Sequence, residues 1–352
     1  MAAHCFDATT FVGPCNHKAR GQHHNPPAPG RSHYLKIKRK QVCNKFFIGM
    51  KRIHTILIIL LLAVTYGEAK KSSDDRQMDD FITSLMKKMT LEEKIGQLNL
   101  GGVGSPKVVG SAIGLDEAIR KGLVSSVGGF DAKAAEDAQK FAVENSRMKI
   151  PLITGLDVVH GYYTIFPIPL ASACSWNMPL LEESARVAAD EASAFGINWT
   201  FAPMVDICRD PRWGRIAEGA GEDPCLGSRI GRAMVRGFQG DDLSKPNTLL
   251  ACVKHFALYG ASEAGRDYNT VSMDPVTMYN YYLPPYKAAF DEGAGSGMTS
   301  FNVVNGVPAT GNKWLLTDLL RDQWKFKGPM PIRWPKCQNT EWAALNESPS
   351  WR

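Results

Sequence analysis

The sequence has 352 residues, of which 22% are charged and 44% hydrophobic, enough for one large domain or two ordinary ones. Its formal net charge of +6 is unevenly placed, because residues 1–69 hold 10 of the 41 basic and 2 of the 35 acidic residues, leaving 31 basic and 33 acidic residues beyond them. The basic balance therefore belongs to the N-terminal stretch and indicates no nucleic-acid partner.

Residues 50–69 (MKRIHTILIILLLAVTYGEA) have the layout of a secretory signal peptide. A basic start, an apolar run from Ile53 to Val64 and a small-residue ending predict cleavage before Lys70. The apolar run is shorter than the roughly 20 residues that a permanent membrane helix needs. The sequence thus predicts a secreted or periplasmic protein without a permanent membrane span. Residues 1–49, which show no hydrophobic periodicity, are interpreted as a spurious or disordered extension preceding a true start at Met50.

Beyond Lys70, helical patterns alternate with short apolar runs. Asp79–Met89 is amphipathic, and Thr90-Leu91-Glu92-Glu93 is a capping box that opens a further helix. The predicted strands are Ile95–Leu100, Ser125–Phe130, Pro151–Asp157, Ile197–Asp206, Leu249–Phe256 and Gly297–Asn305. The predicted helices between them include Asp131–Arg147, Leu180–Phe195, Ser228–Gln239 and Pro275–Glu292.

Strands that alternate with helices predict parallel βαβ units. The apolar runs mostly do not alternate with polar residues, as expected for strands buried on both faces. Six units fall short of the eight in a (β/α)₈ barrel, but no GxGxxG follows the first strand as in a dinucleotide-binding doubly wound sheet. We therefore predict an α/β fold over residues 70–328: an incomplete TIM (β/α)₈ barrel of about six strand–helix units.

In either architecture, functional groups lie at the carboxyl ends of the strands. Charged and polar residues are concentrated there, at Asp157, His160, Asp206, Arg209, Lys254, His255 and Asn302–Asn305. Asp157 in GLDVVHG either accepts hydrogen bonds from a vicinal diol or caps a loop. Lys254 and His255 are adjacent in CVKHFALYG, so we expect their side chains to point to opposite sides of the strand.

The segment CRDPRWGR (208–215) places three arginines around one tryptophan. At least one arginine is expected to form an internal salt bridge, for which Glu218, Glu222 and Asp223 are the available partners. Mixed donors and acceptors with nearby aromatic residues favour a neutral polyol ligand, and the segment lacks the Gly-rich turn of a phosphate site. Beyond residue 69, two dispersed histidines and five cysteines without a CxxC pair predict neither a metal site nor a disulfide scaffold, and we predict no cofactor.

The motifs GxDxxHG, APMVDxxRDPRWGR, GEDP, KHF and NxxNG, in this order, resemble the N-terminal barrel of glycoside hydrolase family 3, especially its secreted bacterial β-glucosidases. The resemblance runs from about Phe81 to Gly328. It implies a retaining hydrolase that removes a terminal β-linked sugar, usually glucose, from the non-reducing end of an oligosaccharide or glucoside.

The resemblance also implies roles for individual residues. Asp157 resembles the aspartate that binds the 4- and 6-hydroxyls of the sugar, and the residues that resemble contacts to neighbouring hydroxyls are Arg209, Lys254, His255 and, in EAGRDYN, Arg266. Phe301 stands where many members carry a tyrosine, so that hydroxyl is absent. We accordingly expect Arg209 to face the sugar, while Asp210, Arg212 and Trp213 lock the loop that directs it.

The catalytic carboxyls that the resemblance implies are not found in the sequence as written. Retaining hydrolysis uses two carboxyls about 5–5.5 Å apart. The family's nucleophile is an aspartate in a Ser-Asp pair on the seventh strand, three apolar residues after FKG, whereas Phe326-Lys327-Gly328 is followed here by PMPIRWPKCQ. The acid/base glutamate comes from a second, C-terminal α/β domain in most members. The segment KHFALYGAS also lacks the histidine of the branch whose loop reads KHFPGHGxT.

We interpret residues 329–352 as an aberrant, frameshifted tail, since favourable synonymous codons for Pro329–Trp342, read two bases further on, encode Ser-Asp. The sequence thus predicts a sugar-binding half-site, no catalytic residues and no turnover. Three alternatives stay open: a carbohydrate-binding pseudoenzyme with a genuine tail, a β-xylosidase, and a Schiff-base lyase that uses Lys254.

Overall fold

The computed structural model describes residues 73–102, 113–128 and 132–330. The described residues divide between Asp80 and Phe81 into two units, with residues 73–80 in the first and the other described residues in the second. The interpretations of residues 1–49 and 50–69, and of the tail beyond residue 330, lie outside the described residues. Within the described ranges, no helix combines the length and the apolar character needed to cross a membrane.

Nine α-helical segments and eight strands follow one another along the described chain. The α-helical segments are α1 (Ser73–Lys88), α2 (Leu91–Gly96), α3 (Leu115–Arg120), α4 (Ala132–Asn145), α5 (Pro169–Ala173), α6 (Met178–Ala194), α7 (Pro224–Gln239), α8 (Pro275–Thr277) and α9 (Pro284–Asp291). The strands are β1 (Leu100–Gly102), β2 (Ser126–Gly128), β3 (Ile153–Leu156), β4 (Trp199–Thr200), β5 (Leu250–Phe256), β6 (Ser296–Thr299), β7 (Val303–Val304) and β8 (Val307–Pro308). Wider π-helical turns occur at Met278–Tyr282 and Trp314–Gln323.

Strands β1 to β6 form one sheet in which every neighbouring pair is parallel and the spatial order equals the sequence order. A doubly wound sheet would reverse its strand order at a switch point, and this sheet does not. The six strands curl into a half-barrel accompanied by helices. The prediction of an incomplete TIM-type barrel is therefore confirmed.

The curl of the sheet is visible in the packing of its interior. Leu100 on β1 packs with Trp199, Cys252 and Met298 from β4, β5 and β6, a contact that a flat sheet of this strand order could not make. Trp199 Nε1 donates to Ser296 Oγ at 2.9 Å, across the sheet from β4 to β6. These side chains fill the lower interior of the half-barrel, so the polar groups at the strand ends lie above a packed apolar layer.

The second apolar layer lies between the sheet and its helices. Helix α6 packs on α7, and α7 packs on α9. On the surface, Arg236 of α7 donates to Glu182 at 2.8 Å and to Glu292 at 2.9 Å, which ties this helix to both sides. Helix α7 presents Val235 and Phe238 to the buried core beneath it. Helices α7 and α9 pack against β5, the strand that carries Lys254 and His255.

The prediction of a strand at Ile95–Leu100 is wrong at its start. The capping box begins helix α2 instead, because the Glu93 amide donates to Thr90 Oγ1 at 3.2 Å and the Thr90 amide donates to Glu93 Oε2 at 2.9 Å. Ile95 lies within this helix, and strand β1 begins only at Leu100. A local cap thus outweighs the apolar run that followed it.

Two further predicted elements are interrupted by proline. The run Ile197–Asp206 pairs regularly only over β4, and Pro203, which has no N–H to donate, follows shortly after. The predicted helix Pro275–Glu292 contains the π-helical turn Met278–Tyr282 just before Pro284, whose missing N–H breaks the helical ladder. The other predicted helices agree with the observed ones to within a few residues.

Candidate functional site

Lys254, near the end of β5, is the centre of a charged cluster at the carboxyl ends of the strands. Its side chain is only 1% exposed, and its ammonium donates to Asp157 Oδ1 at 2.7 Å. The same ammonium lies 3.7 Å from Glu218 Oε2. Asp157 directly follows β3, and its side chain is 28% exposed; that of Glu218, on a 3₁₀ turn after β4, is 30% exposed. A buried cation therefore holds two carboxylates that remain accessible at the mouth of the half-barrel.

Arg215 completes this cluster through a bidentate ion pair. Its Nε and terminal nitrogen donate to the two carboxylate oxygens of Glu218 at 2.6 and 2.8 Å. Burial opposes the charged form of both groups. The hydrogen bonds and charges outweigh it, so the pKa of the Arg215 guanidinium is raised and the pKa of Glu218 is lowered, the latter also by the charge of Lys254. Glu218 is consequently ionised at neutral pH and acts as a hydrogen-bond acceptor rather than an acid.

The structure brings together Asp157, Lys254 and His255 of the sequence-predicted site, but it places the two predicted arginines differently. The exposed guanidinium of Arg209 lies 5.4 Å from the ring centroid of Tyr281 and interacts with the hydroxyl of Tyr282. Arg266 is exposed on the loop that follows β5. Arg215 has contacts inside the cluster, and sequence analysis assigned it no role of its own beyond the expectation that at least one of the three arginines forms an internal salt bridge. The sequence feature that could have identified Arg215 is Glu218, a carboxylate three residues later.

Residues of the segment 208–215 contact the loop formed by residues 262–270. Trp213 is buried, and its Nε1 donates to Asp267 Oδ1 at 3.0 Å. Gly265 lies so close to this segment that an added Cβ would stand 2.9 Å from Arg212 Cβ. Asp210 pairs with Arg212 at 2.6 Å on the surface. The tryptophan therefore locks residues 262–270 in place, as well as its own loop.

His255 is held by a buried carboxylate that sequence analysis named only as a strand-end residue. Asp206 Oδ2 lies 2.9 Å from both the ring Nδ1 and the backbone N–H of His255, and Asp206 Oδ1 accepts a hydrogen bond from the hydroxyl of Tyr286. Burial, opposed by Asp206, lowers the pKa of His255 to about 4. The ring is neutral at pH 7 with its proton on Nδ1, which leaves Nε2 as an acceptor.

The depressed pKa of His255 makes the stability of the fold depend on pH. The pKa of His255 is about 4 in the folded chain and 6.5 for an unperturbed imidazole, so the unfolded chain binds more protons between these two values. The contribution of the neutral His255 ring to the free energy of unfolding is complete above pH 6.5. It is lost as the pH falls toward 4, and the total loss is about 3 kcal/mol. Urea unfolding across this range should show the decline for the native chain and a shallower one for His255→Gln. Equal slopes would contradict it.

Two other residues singled out by their sequence context have packing roles. His160 Nδ1 lies 3.1 Å from the carbonyl oxygen of Phe166 and so braces the loop after β3. The ring of Phe301 lies 5.4 Å from that of His255 and 5.3 Å from that of Tyr259, which gives the site an apolar wall. Among the residues that the structure describes, no three His, Cys, Asp or Glu side chains are grouped as a metal site would require.

Comparisons with known proteins place this site in a family. A sequence profile of the glycosyl hydrolase family 3 N terminal domain matches residues 90–331. A periplasmic beta-glucosidase of Salmonella typhimurium is 47% identical over 255 residues, covering 71% of this chain and 32% of that protein. A putative beta-xylosidase of Formosa agariphila is 32% identical over 285 residues, covering 75% and 38%.

Solved structures agree with the sequence comparisons. The beta-glucosidase from Listeria innocua in complex with isofagomine superposes with a TM-score of 0.67 at 44% identity, covering 72% of this chain and 36% of that one. The chain thus spans about a third of the length of the relatives it matches. The shared profile, the identity and the strand order lead to one conclusion: the chain belongs to glycosyl hydrolase family 3 and carries the fold of its N-terminal domain.

Proposed function

We propose that this chain is the sugar-binding part of a retaining exo-β-glucosidase. The observation that carries the proposal is the buried Lys254 ammonium, which holds the carboxylates of Asp157 and Glu218 accessible at the barrel mouth. Ionised carboxylates accept hydrogen bonds from sugar hydroxyls, and the bare Nε2 of His255 is a further acceptor. The fork of Arg215 is occupied by Glu218, and the remaining N–H groups of the guanidinium can donate to a ligand. Together these groups suit a pyranose, which presents several hydroxyls that both donate and accept.

The names of the relatives support glucose as the terminal sugar. The Listeria innocua beta-glucosidase has been solved with isofagomine, with laminaribiose and with glucose. A xylose-specific enzyme is the second candidate because one relative is a putative beta-xylosidase. The same polar cluster would bind both sugars, which differ in the hydroxymethyl group at carbon 5. A salt-bridged Lys254 is not a free amine, which disfavours the Schiff-base alternative.

We further propose that the 352-residue chain binds the sugar without cleaving it. Asp157 and Glu218 are both paired with cations, and Asp206 is buried beneath His255, so none of them fits the acid of a retaining pair. The nucleophile and the acid/base are proposed to belong to a seventh strand and a C-terminal α/β domain of the parent enzyme.

Export guided by residues 50–69 is proposed as well. N-terminal sequencing of the exported chain should then begin at Lys70.

Calorimetric titration with methyl β-D-glucoside tests the binding site. Arg215→Lys keeps the charge but removes the bidentate pair that fixes Glu218, together with the guanidinium N–H groups left for the sugar. It should therefore weaken binding at least about tenfold, since a hydrogen bond to a charged group contributes roughly 1.5–3 kcal/mol. Arg209→Lys is the matched control and should change the affinity less than about twofold. The reverse ranking would support the sequence-based role of Arg209 instead.

The same preparations test the proposed lack of turnover. The native chain should release no nitrophenol from 4-nitrophenyl β-D-glucoside above the rate in buffer. Measurable release that disappears with Lys254→Met would refute the assignment of this chain as a binding part alone. Failure of methyl β-D-glucoside to bind would refute the proposed site itself.

A further inference from the structure

An aromatic cluster borders the charged cluster, and one of its rings reaches the surface. The ring of Tyr259, which lies 5.5 Å below the Arg215 guanidinium, is 5.3 Å from Phe301 and 5.9 Å from Tyr268 between centroids. Phe301 in turn lies 5.6 Å from Tyr268 and 5.4 Å from His255. Tyr259 is fully buried, whereas Tyr268 is 45% exposed. Tyr268 therefore offers aromatic surface at the edge of the site.

The loop that carries Tyr268 is held in one conformation. Asp267, its neighbour, accepts a hydrogen bond from the buried Trp213 at 3.0 Å, and the Glu263 amide donates to the carbonyl of Thr270 at 3.0 Å. Tyr268 itself has φ of 65°, a left-handed conformation that is uncommon for a residue other than glycine. Such a conformation persists only where surrounding contacts enforce it, and it is found most often at functional sites. The ring is thus positioned before any ligand binds.

Asp157 and the aromatic cluster follow different strands of the sheet. Asp157 follows β3, whereas Tyr268 and Phe301 follow β5 and β6, farther along the curled sheet. Under the proposed function Asp157 holds the non-reducing side of the sugar. A glycosidic oxygen that faces the β5 and β6 side would direct the group attached to it past Tyr268.

We propose that Tyr268 is a stacking platform for the leaving group and that it favours β-glucosides whose leaving group has an aromatic face. This inference rests on the proposed function. Paired aromatic rings at suitable distances change an affinity roughly threefold to tenfold beyond the effect of burial. Tyrosine supplies such a surface at little entropic cost, because it has only two side-chain torsions to order.

The test compares two non-hydrolysed ligands on the 352-residue chain, methyl β-D-glucoside and 4-nitrophenyl 1-thio-β-D-glucoside. The variant Tyr268→Asn removes the ring and tolerates the left-handed backbone, since asparagine is enriched in that region. It should weaken binding of the aryl thioglucoside about threefold to tenfold and change binding of the methyl glucoside less than about twofold. Tyr268→Phe, which keeps the ring, should change neither affinity.

A matched control is Tyr279→Asn, which removes a tyrosine of similar exposure, 44%, from a different part of the chain and should leave both affinities unchanged. Equal loss for both ligands with Tyr268→Asn, or no loss for either, would overturn the stacking role while leaving the proposed function intact. If the native chain bound neither ligand, both the proposed function and the stacking role would be refuted. Circular dichroism of each variant establishes that its fold is retained.

Discussion

Replacing Lys254 by methionine is expected to lower the free energy of unfolding of the 352-residue chain by about 1.5–3 kcal/mol. The ammonium is almost completely buried and is hydrogen-bonded to Asp157 at 2.7 Å, with Glu218 at 3.7 Å. Methionine has a similar length but no charge, so Asp157 would lose its hydrogen bond from the ammonium and Glu218 would keep Arg215 as its cation. Urea unfolding monitored by circular dichroism at pH 7 measures the change from the midpoint at constant slope.

The control for this substitution is Lys287→Met. Lys287 pairs with Asp291 at 2.5 Å on the surface of α9, with both side chains more than 40% exposed. Solvent screens such a pair, so its loss should cost less than about 1 kcal/mol. The double variant Lys254→Met, Asp157→Asn should be less destabilised than the sum of its single changes, because the side chain that loses the ammonium is then uncharged. Similar costs for Lys254→Met and Lys287→Met would show that Lys254 is not buried as described.

The second large effect is expected for Asp206→Asn, which should lower the free energy of unfolding by about 2–4 kcal/mol. The buried carboxylate accepts hydrogen bonds from the backbone and ring of His255 and from the hydroxyl of Tyr286. An amide of the same shape has only one acceptor oxygen, so it cannot accept hydrogen bonds at both carboxylate positions and the buried network loses its charge. The substitution should also weaken sugar binding, because the His255 ring loses the bond that orients it.

Two comparisons separate this effect from a general loss of charge. Asp291→Asn removes an exposed carboxylate from α9 and should cost less than about 1 kcal/mol. Tyr286→Phe removes one donor to Asp206 and should cost about 1–2 kcal/mol, less than the loss of the acceptor that several groups share. If Asp206→Asn were as mild as Asp291→Asn, the proposed role of Asp206 in positioning His255 would be untenable.

The helices and the barrel class were predictable because their signals are local. Apolar periodicity located α4, α6 and α7, and the capping residues at Thr90 and Glu93 were read correctly. The error at Ile95 arose where two local signals competed, since an apolar run that suits a strand followed a strong helix cap. The cap determined the outcome because its hydrogen bonds form within four consecutive residues.

The site was predictable only in part because its contacts join distant segments. Lys254 and Asp157 were both identified from strand ends, yet their 2.7 Å ion pair spans 97 positions of sequence. The three arginines in 208–215 could not be told apart by residue type, because all three offer the same guanidinium. Their surroundings distinguish them: Arg209 stacks on Tyr281, Arg212 pairs at the surface, and Arg215 lies against Glu218 and Tyr259.

The sequence by itself determined the order of strands and helices, the parallel half-barrel and the family, because periodicity, caps and ordered motifs are all written along the chain. Only the tertiary structure decided which arginine joins Lys254, that Asp206 orients His255, and that Tyr268 stands exposed beside the cluster. The physical reason is that burial and charge pairing depend on neighbours in space. Curling the sheet brings the ends of β3, β4 and β5 together, and no local pattern specifies which side chains then meet.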